Sequence, residues 1–116
     1  MDFEYTITDK QHYSLISLKG NLIERNQANE LMDEVETLSE KDGCQLIISL
    51  EEFKYMNSTG LNVLLGILSK ARKSGGEAVI CSVPEKIKSL LVITKLVNVF
   101  TVVDDEAAAV ATLTKG

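Results

Sequence analysis

Four small or polar residues, Asn57-Ser58-Thr59-Gly60, separate two apolar runs in the stretch YMNSTGLNVLL, from Tyr55 to Leu65. Two hydroxyls, an amide and a glycine in a row admit several chemistries. The first is capping, in which Asn57 or Ser58 accepts a backbone N–H from the first turn of a helix that begins here. The second is binding. Free N–H groups at a helix start favour an anion, and Gly60 lets another chain or a ligand approach the backbone. Nucleophilic catalysis fits poorly, because a serine needs a base beside it. His12 is the only histidine, it falls in a predicted turn, and no G-x-S-x-G stretch occurs. Neither glycine-rich phosphate-loop pattern, G-x-x-x-x-G-K-S/T or G-x-G-x-x-G, is present. The third chemistry is modification. A phosphoryl group on Ser58 would add about −1.5 to −2 charge at neutral pH. At an exposed helix N-terminus that charge is favoured by roughly 0.3–1 kcal/mol. The fold would persist, and a partner docked over the helix start would meet new charge and new bulk. That is a switch in binding without a switch in fold. The surface expected to meet such a partner is Asn57, Ser58, Thr59, Gly60 and Asn62.

The remaining reactive residue types add no second site. Cys44 and Cys81 stand apart, without C-x-x-C spacing. A zinc site needs about four suitable ligands, so two buried free thiols are expected, with no metal and no cofactor. Net charge is −5 and no Lys/Arg cluster stands out, which argues against a nucleic-acid backbone or an anionic membrane surface as partner. The N-terminal MDFEYTITDK has no basic start followed by an apolar run, and no apolar stretch approaches the roughly 20 residues of a spanning helix. A cytoplasmic protein without membrane insertion is the expectation.

The elements that must position Ser58 follow from periodicity. The chain has 116 residues, enough for one domain over 1–116, and its 5% aromatic content without Trp requires an aliphatic core. FEYTITD alternates apolar and polar residues as a half-buried strand does, and YSLISLKG reads as its hairpin partner. In ERNQANELMDEVETLSEK, residues Ala28, Leu31, Met32, Val35 and Leu38 recur at helical spacing with carboxylates opposite. Asn26 is the expected N-cap of that helix and Gly43 its terminator. CQLIISL is a continuous apolar run suited to a strand covered on both faces. EEFKYM is expected to be a loop. Leu61, Leu64, Leu65, Leu68 and Ala71 then mark a second helix, stopped by KSGG. EAVICSV is a buried strand, and Pro84 opens a third helix with Ile87, Leu90, Leu91 and Thr94 on its face. VFTVV is a short strand. DDEAAAVATLTK, capped by Asp104 or Asp105, is a last helix. The order β-β-α-β-α-β-α-β-α predicts an α/β fold, a mixed, mostly parallel sheet of about five strands with about four helices.

On these residues the chain resembles the STAS domain family, shared by sulfate transporters and bacterial anti-sigma-factor antagonists. The similarity runs over nearly the whole chain, from LISLKGNL through IKSLLVITKLVNVFTVVDDEAAAVATL, and the stand-alone length is similar to the antagonist branch. The family's most specific motif, Asp-Ser-Ser/Thr-Gly-Leu at the second helix start, reads here Asn57-Ser58-Thr59-Gly60-Leu61. The resemblance implies that Ser58 is phosphorylated by a partner serine kinase that doubles as the anti-sigma factor. It implies that a metal-dependent serine phosphatase reverses this, and that the domain itself has no catalysis and no cofactor. The chain departs from the pattern at Asn57, Ser49 and Ile23, where the family often has carboxylates, and at Asn62, where Gly is common. Those departures fit an alternative, a constitutive, non-phosphorylated STAS subunit of another assembly such as a lipid-transport complex.

Overall fold

The computed structural model describes residues 3–114. Their order is β1 (Phe3–Asp9), β2 (Ser14–Leu22), α1 (Asn29–Leu38), β3 (Gln45–Met56), α2 (Ser58–Lys73), β4 (Glu77–Cys81), α3 (Glu85–Ile93), β5 (Thr101–Val103) and α4 (Glu106–Thr114), with short 3-10 turns at Arg25–Ala28 and Leu96–Asn98. The expected run of the last helix to Lys115, and the outermost positions 1, 2 and 116 of the expected domain, lie outside the described residues.

One five-stranded sheet has the order β1-β2-β3-β4-β5. β1 pairs antiparallel with β2, and every later neighbour is parallel. Parallel neighbours need right-handed crossovers, and successive crossovers stepping in one direction put their helices on one face. The core follows from this. Leu31 and Val35 of α1, Leu64, Ile67 and Leu68 of α2 and Ile87 and Leu91 of α3 bury against Ile16, Leu18, Leu46, Ile48 and Ile80 of the sheet. The opposite face is covered only at its far side, where Ala109 of α4 packs on Ile47, Val79 and Cys81. That explains why β3 and β4 read as unbroken apolar runs while β1 alternates. Glu4, Thr6 and Thr8 remain exposed on the uncovered half of that face.

Three local expectations are corrected. EEFKYM is not a loop but the second half of a 12-residue β3, pairing with β2 as far as Leu22↔Met56. Register shifts between Ser17 and Lys19 and between Gly20 and Asn21 break the two-residue period there, leaving Phe53 and Met56 buried at a spacing that does not look like a strand. Asn26 does not cap α1. It lies inside the 3-10 turn, and α1 starts at Asn29. Pro84 stands just before α3 as its cap residue rather than within the first turn, and the helix ends at Ile93 before Lys95 turns left-handed at φ 64°. The cap of α4 is Asp105, whose Oδ1 accepts the Ala108 N–H at 2.9 Å.

Candidate functional site

Ser58 is the first residue of α2, a 16-residue helix whose apolar side is buried over almost its whole length. It is exposed. Asn57 precedes it in extended backbone conformation and is the cap. Its Oδ1 accepts the Thr59 N–H at 3.0 Å and the Gly60 N–H at 3.3 Å. The same amide also donates, from Nδ2 to the Ile23 carbonyl at 3.1 Å. An aspartate in this position would accept as well but has nothing to donate. Asn57 therefore ties the start of α2 to the segment that leaves β2.

That segment is held from its other side by Gln27, which sequence reasoning missed. Gln27 Oε1 accepts the Ile23 and Glu24 N–H groups, each at 2.9 Å, and Nε2 donates to the Asn21 carbonyl at 3.3 Å. The Glu24-x-x-Gln27 spacing is the available sequence signal, since a Gln at the third position of a turn reaches back to the N–H of its cap. Ile23 is thus fixed through both its N–H and its C=O while its side chain stays 44% exposed. Tyr55, across the β2–β3 pairing from Asn21, is 54% exposed. The Ile23 backbone and the Asn57 amide thus meet beside the start of α2.

The other candidate residues divide by burial. Thr59 is half-buried and Asn62 exposed. Asn62 lines a depression of about 380 Å³ between α1 and α2, together with Arg25, Met32, Asp33 and Gly66. Gly60 is buried. A Cβ there would come within 2.5 Å of the Met56 Cβ and 2.9 Å of the Leu22 carbonyl oxygen. The close approach Gly60 permits is made by the chain's own β2 and β3 ends. Ser49 pairs with Cys81 where the β3–β4 ladder ends, and Leu50–Met56 separate it from Asn57. Burial pushes the Cys81 thiol up, while hydrogen bonds with Ser82 and Ser49 pull the other way. His12 lies in the β1–β2 turn and is exposed. Among the described residues no group of three or more His, Cys, Asp or Glu side chains is placed to hold a metal ion. None of the described helices is long and apolar enough to cross a membrane.

Comparison with known proteins bears on both fold and family. A crystal structure of an anti-sigma factor antagonist from Mycobacterium paratuberculosis superposes with TM-score 0.81, covering 97% of this chain and 95% of that one at 18% identity. Among curated sequences, the anti-sigma F factor antagonist of Paenibacillus polymyxa is 26% identical over 99 residues, 85% of each chain. The anti-sigma-B factor antagonist of Listeria monocytogenes is 30% identical over 80 residues, 69% of this chain and 70% of that one. A family model described as the STAS domain matches residues 5–109.

Proposed function

The chain belongs to the STAS domain family, and from that premise we propose that it is an anti-sigma-factor antagonist, a single-domain cytoplasmic binding module switched at Ser58. In its unmodified form it binds an anti-sigma factor that is also a serine kinase, and so releases a sigma factor and regulates transcription indirectly. Phosphorylation of Ser58 ends that binding, and a serine phosphatase restores it. The domain supplies a surface and performs no catalysis.

One observation carries the reading: Ser58 is exposed at the first position of a helix whose cap is provided by its neighbour. Because Asn57 makes the capping bonds, Ser58 is spared for modification. A phosphate at that position sits against the positive end of α2, worth roughly 0.3–1 kcal/mol, so the folded state tolerates it. The expected docking surface is Asn57, Ser58, Thr59 and Asn62 around the helix start.

A second reading is favoured by a different observation. With Asn57 clasping the Ile23 carbonyl and Ser49 engaged with Cys81, two of the three positions at which the resemblance implies carboxylates hold neutral side chains that serve internal bonds. A constitutive, unphosphorylated subunit of another assembly, such as a lipid-transport complex, would have this appearance.

Affinity capture with wild type, Ser58→Ala and Ser58→Asp separates the two. The switch reading expects an ATP-binding serine kinase on wild type and on Ser58→Ala, and its loss on Ser58→Asp. The same non-kinase complex on all three baits would replace the switch with the constitutive subunit.

A further inference from the structure

Among the described residues, β1 is an edge strand with no strand paired to its outer side. It pairs with β2 without interruption from Phe3↔Gly20 to Asp9↔Ser14 and ends the sheet order. Among the described residues no second strand lies beyond it. Natural edge strands are protected by proline, lysine, bulges or extreme shortness. β1 has no proline, lysine or bulge: it is seven residues long, FEYTITD, with continuous register, and its charged side chains are the two acids Glu4 and Asp9. A row of backbone donors and acceptors on such an edge is a template for one more strand.

The surroundings specify what kind of strand. Phe3, Tyr5 and Ile7 point to the α1 side, where they pack against the core. A groove of about 470 Å³ lies between the Phe3–Thr6 segment and the start of α1, with Glu4, Lys19 and Glu30 on its walls. α1 itself carries Glu30, Asp33, Glu34 and Glu36 and no Lys or Arg. Glu34 accepts a hydrogen bond from the Tyr5 hydroxyl, and Glu30 and Asp33 lie close enough to act on that phenol electrostatically. Lys19, on the wall of that groove, is engaged with Glu52 at 3.3 Å. A second copy of the chain pairing β1 with β1 would bring two such carboxylate rows together across the symmetry axis, and like charges at close range oppose that arrangement.

We propose that the outer edge of β1 takes up an extended, basic segment of a partner protein as a sixth strand, with alternate Lys or Arg side chains lying over Tyr5 and reaching Glu30 and Glu34. Backbone bonds supply the docking and the carboxylates select the sequence. The aliphatic stems of Lys or Arg cover the Tyr5 and Ile7 side chains while their charged heads stay in water. This surface uses none of the residues around Ser58.

An acetylated, amidated octapeptide alternating lysine and threonine tests the proposal on the intact chain, with a glutamate–threonine peptide as control. Amide exchange and chemical shifts followed by NMR give the readout. The lysine peptide is expected to slow exchange at outward-facing β1 amides, to bind about tenfold more tightly than its acidic control, and to weaken as salt rises. Glu30→Gln with Glu34→Gln should reduce the affinity severalfold without altering the fold, since both side chains are at the surface. Three results overturn the proposal: no binding, binding that leaves β1 exchange unchanged, or β1 protection that grows with protein concentration alone. The last would assign the edge to a second copy.

Discussion

At the residue scale, Asn57 does two jobs that an aspartate cannot combine. Asn57→Asp keeps the cap of α2 but loses the donor to Ile23, whose carbonyl is then faced by a carboxylate. It should leave α2 intact and loosen residues 21–24, seen as faster amide exchange in that segment alone. Asn57→Ala loses both functions and should cost about 1–2 kcal/mol in denaturant unfolding. Equal effects of the two variants would mean that the Ile23 bond contributes nothing of its own. The sequence located the cap of α2 at Asn57 or Ser58, because a small polar residue before an amphipathic run suits that position, and the structure assigns it to Asn57. It did not reveal that Gly60 faces Met56 and Leu22 rather than a visitor. Whether a glycine makes room for its own chain or for another depends on what lies opposite, and sequence spacing carries no information about that. The clasp on Ile23 was hidden for the same reason, since it joins residues 34 positions apart.

At the element scale, the order and type of helices and strands followed from periodicity, and the misreadings fall where periodicity is interrupted. The second half of β3 carries Glu51, Glu52 and Lys54 in exposed positions and two register shifts against β2, so its pattern imitates a loop. The 3-10 turn before α1 displaced the expected cap in a similar way. α4 is the element most dependent on its ends. Only Ala109 is fully buried among its residues, while Val110 and Leu113 are partly so. Its start is fixed by Asp105 accepting the Ala108 N–H and by the Tyr13 hydroxyl donating to Glu106. Asp105→Ala is expected to lower stability by about 0.5–2 kcal/mol, with the loss of exchange protection concentrated in α4. Protection lost evenly over the whole chain would mean that α4 cannot loosen without global unfolding.

At the scale of the whole molecule, the groups with raised pKa act in one direction. Tyr5 is pushed up to about 12, by burial first and then by its hydrogen bond to Glu34 and the charges of Glu34, Glu30 and Asp33. Burial likewise raises the thiols of Cys44 and Cys81, and the hydrogen bond to Glu106 raises the Tyr13 phenol. An acid that holds its proton more tightly when folded stabilises the fold below its ordinary value, and that contribution is lost as pH rises towards the folded value. Stability should therefore be level through neutral pH and decline on the alkaline side, from about pH 9 for the thiols and between about pH 10 and 12 for Tyr5. Tyr5→Phe should flatten the later part of the decline in denaturant midpoints measured across that range. An unchanged profile would assign the loss to other groups. The strand order has a consequence of a different kind. Because β1-β2-β3-β4-β5 is also the order of synthesis, each strand leaving the ribosome finds its neighbour already made. No strand must be threaded between two that are paired, and every contact within the sheet joins consecutive strands. The domain is suited to assembly from β1 onward as it is translated, with α4 covering its part of the second face last.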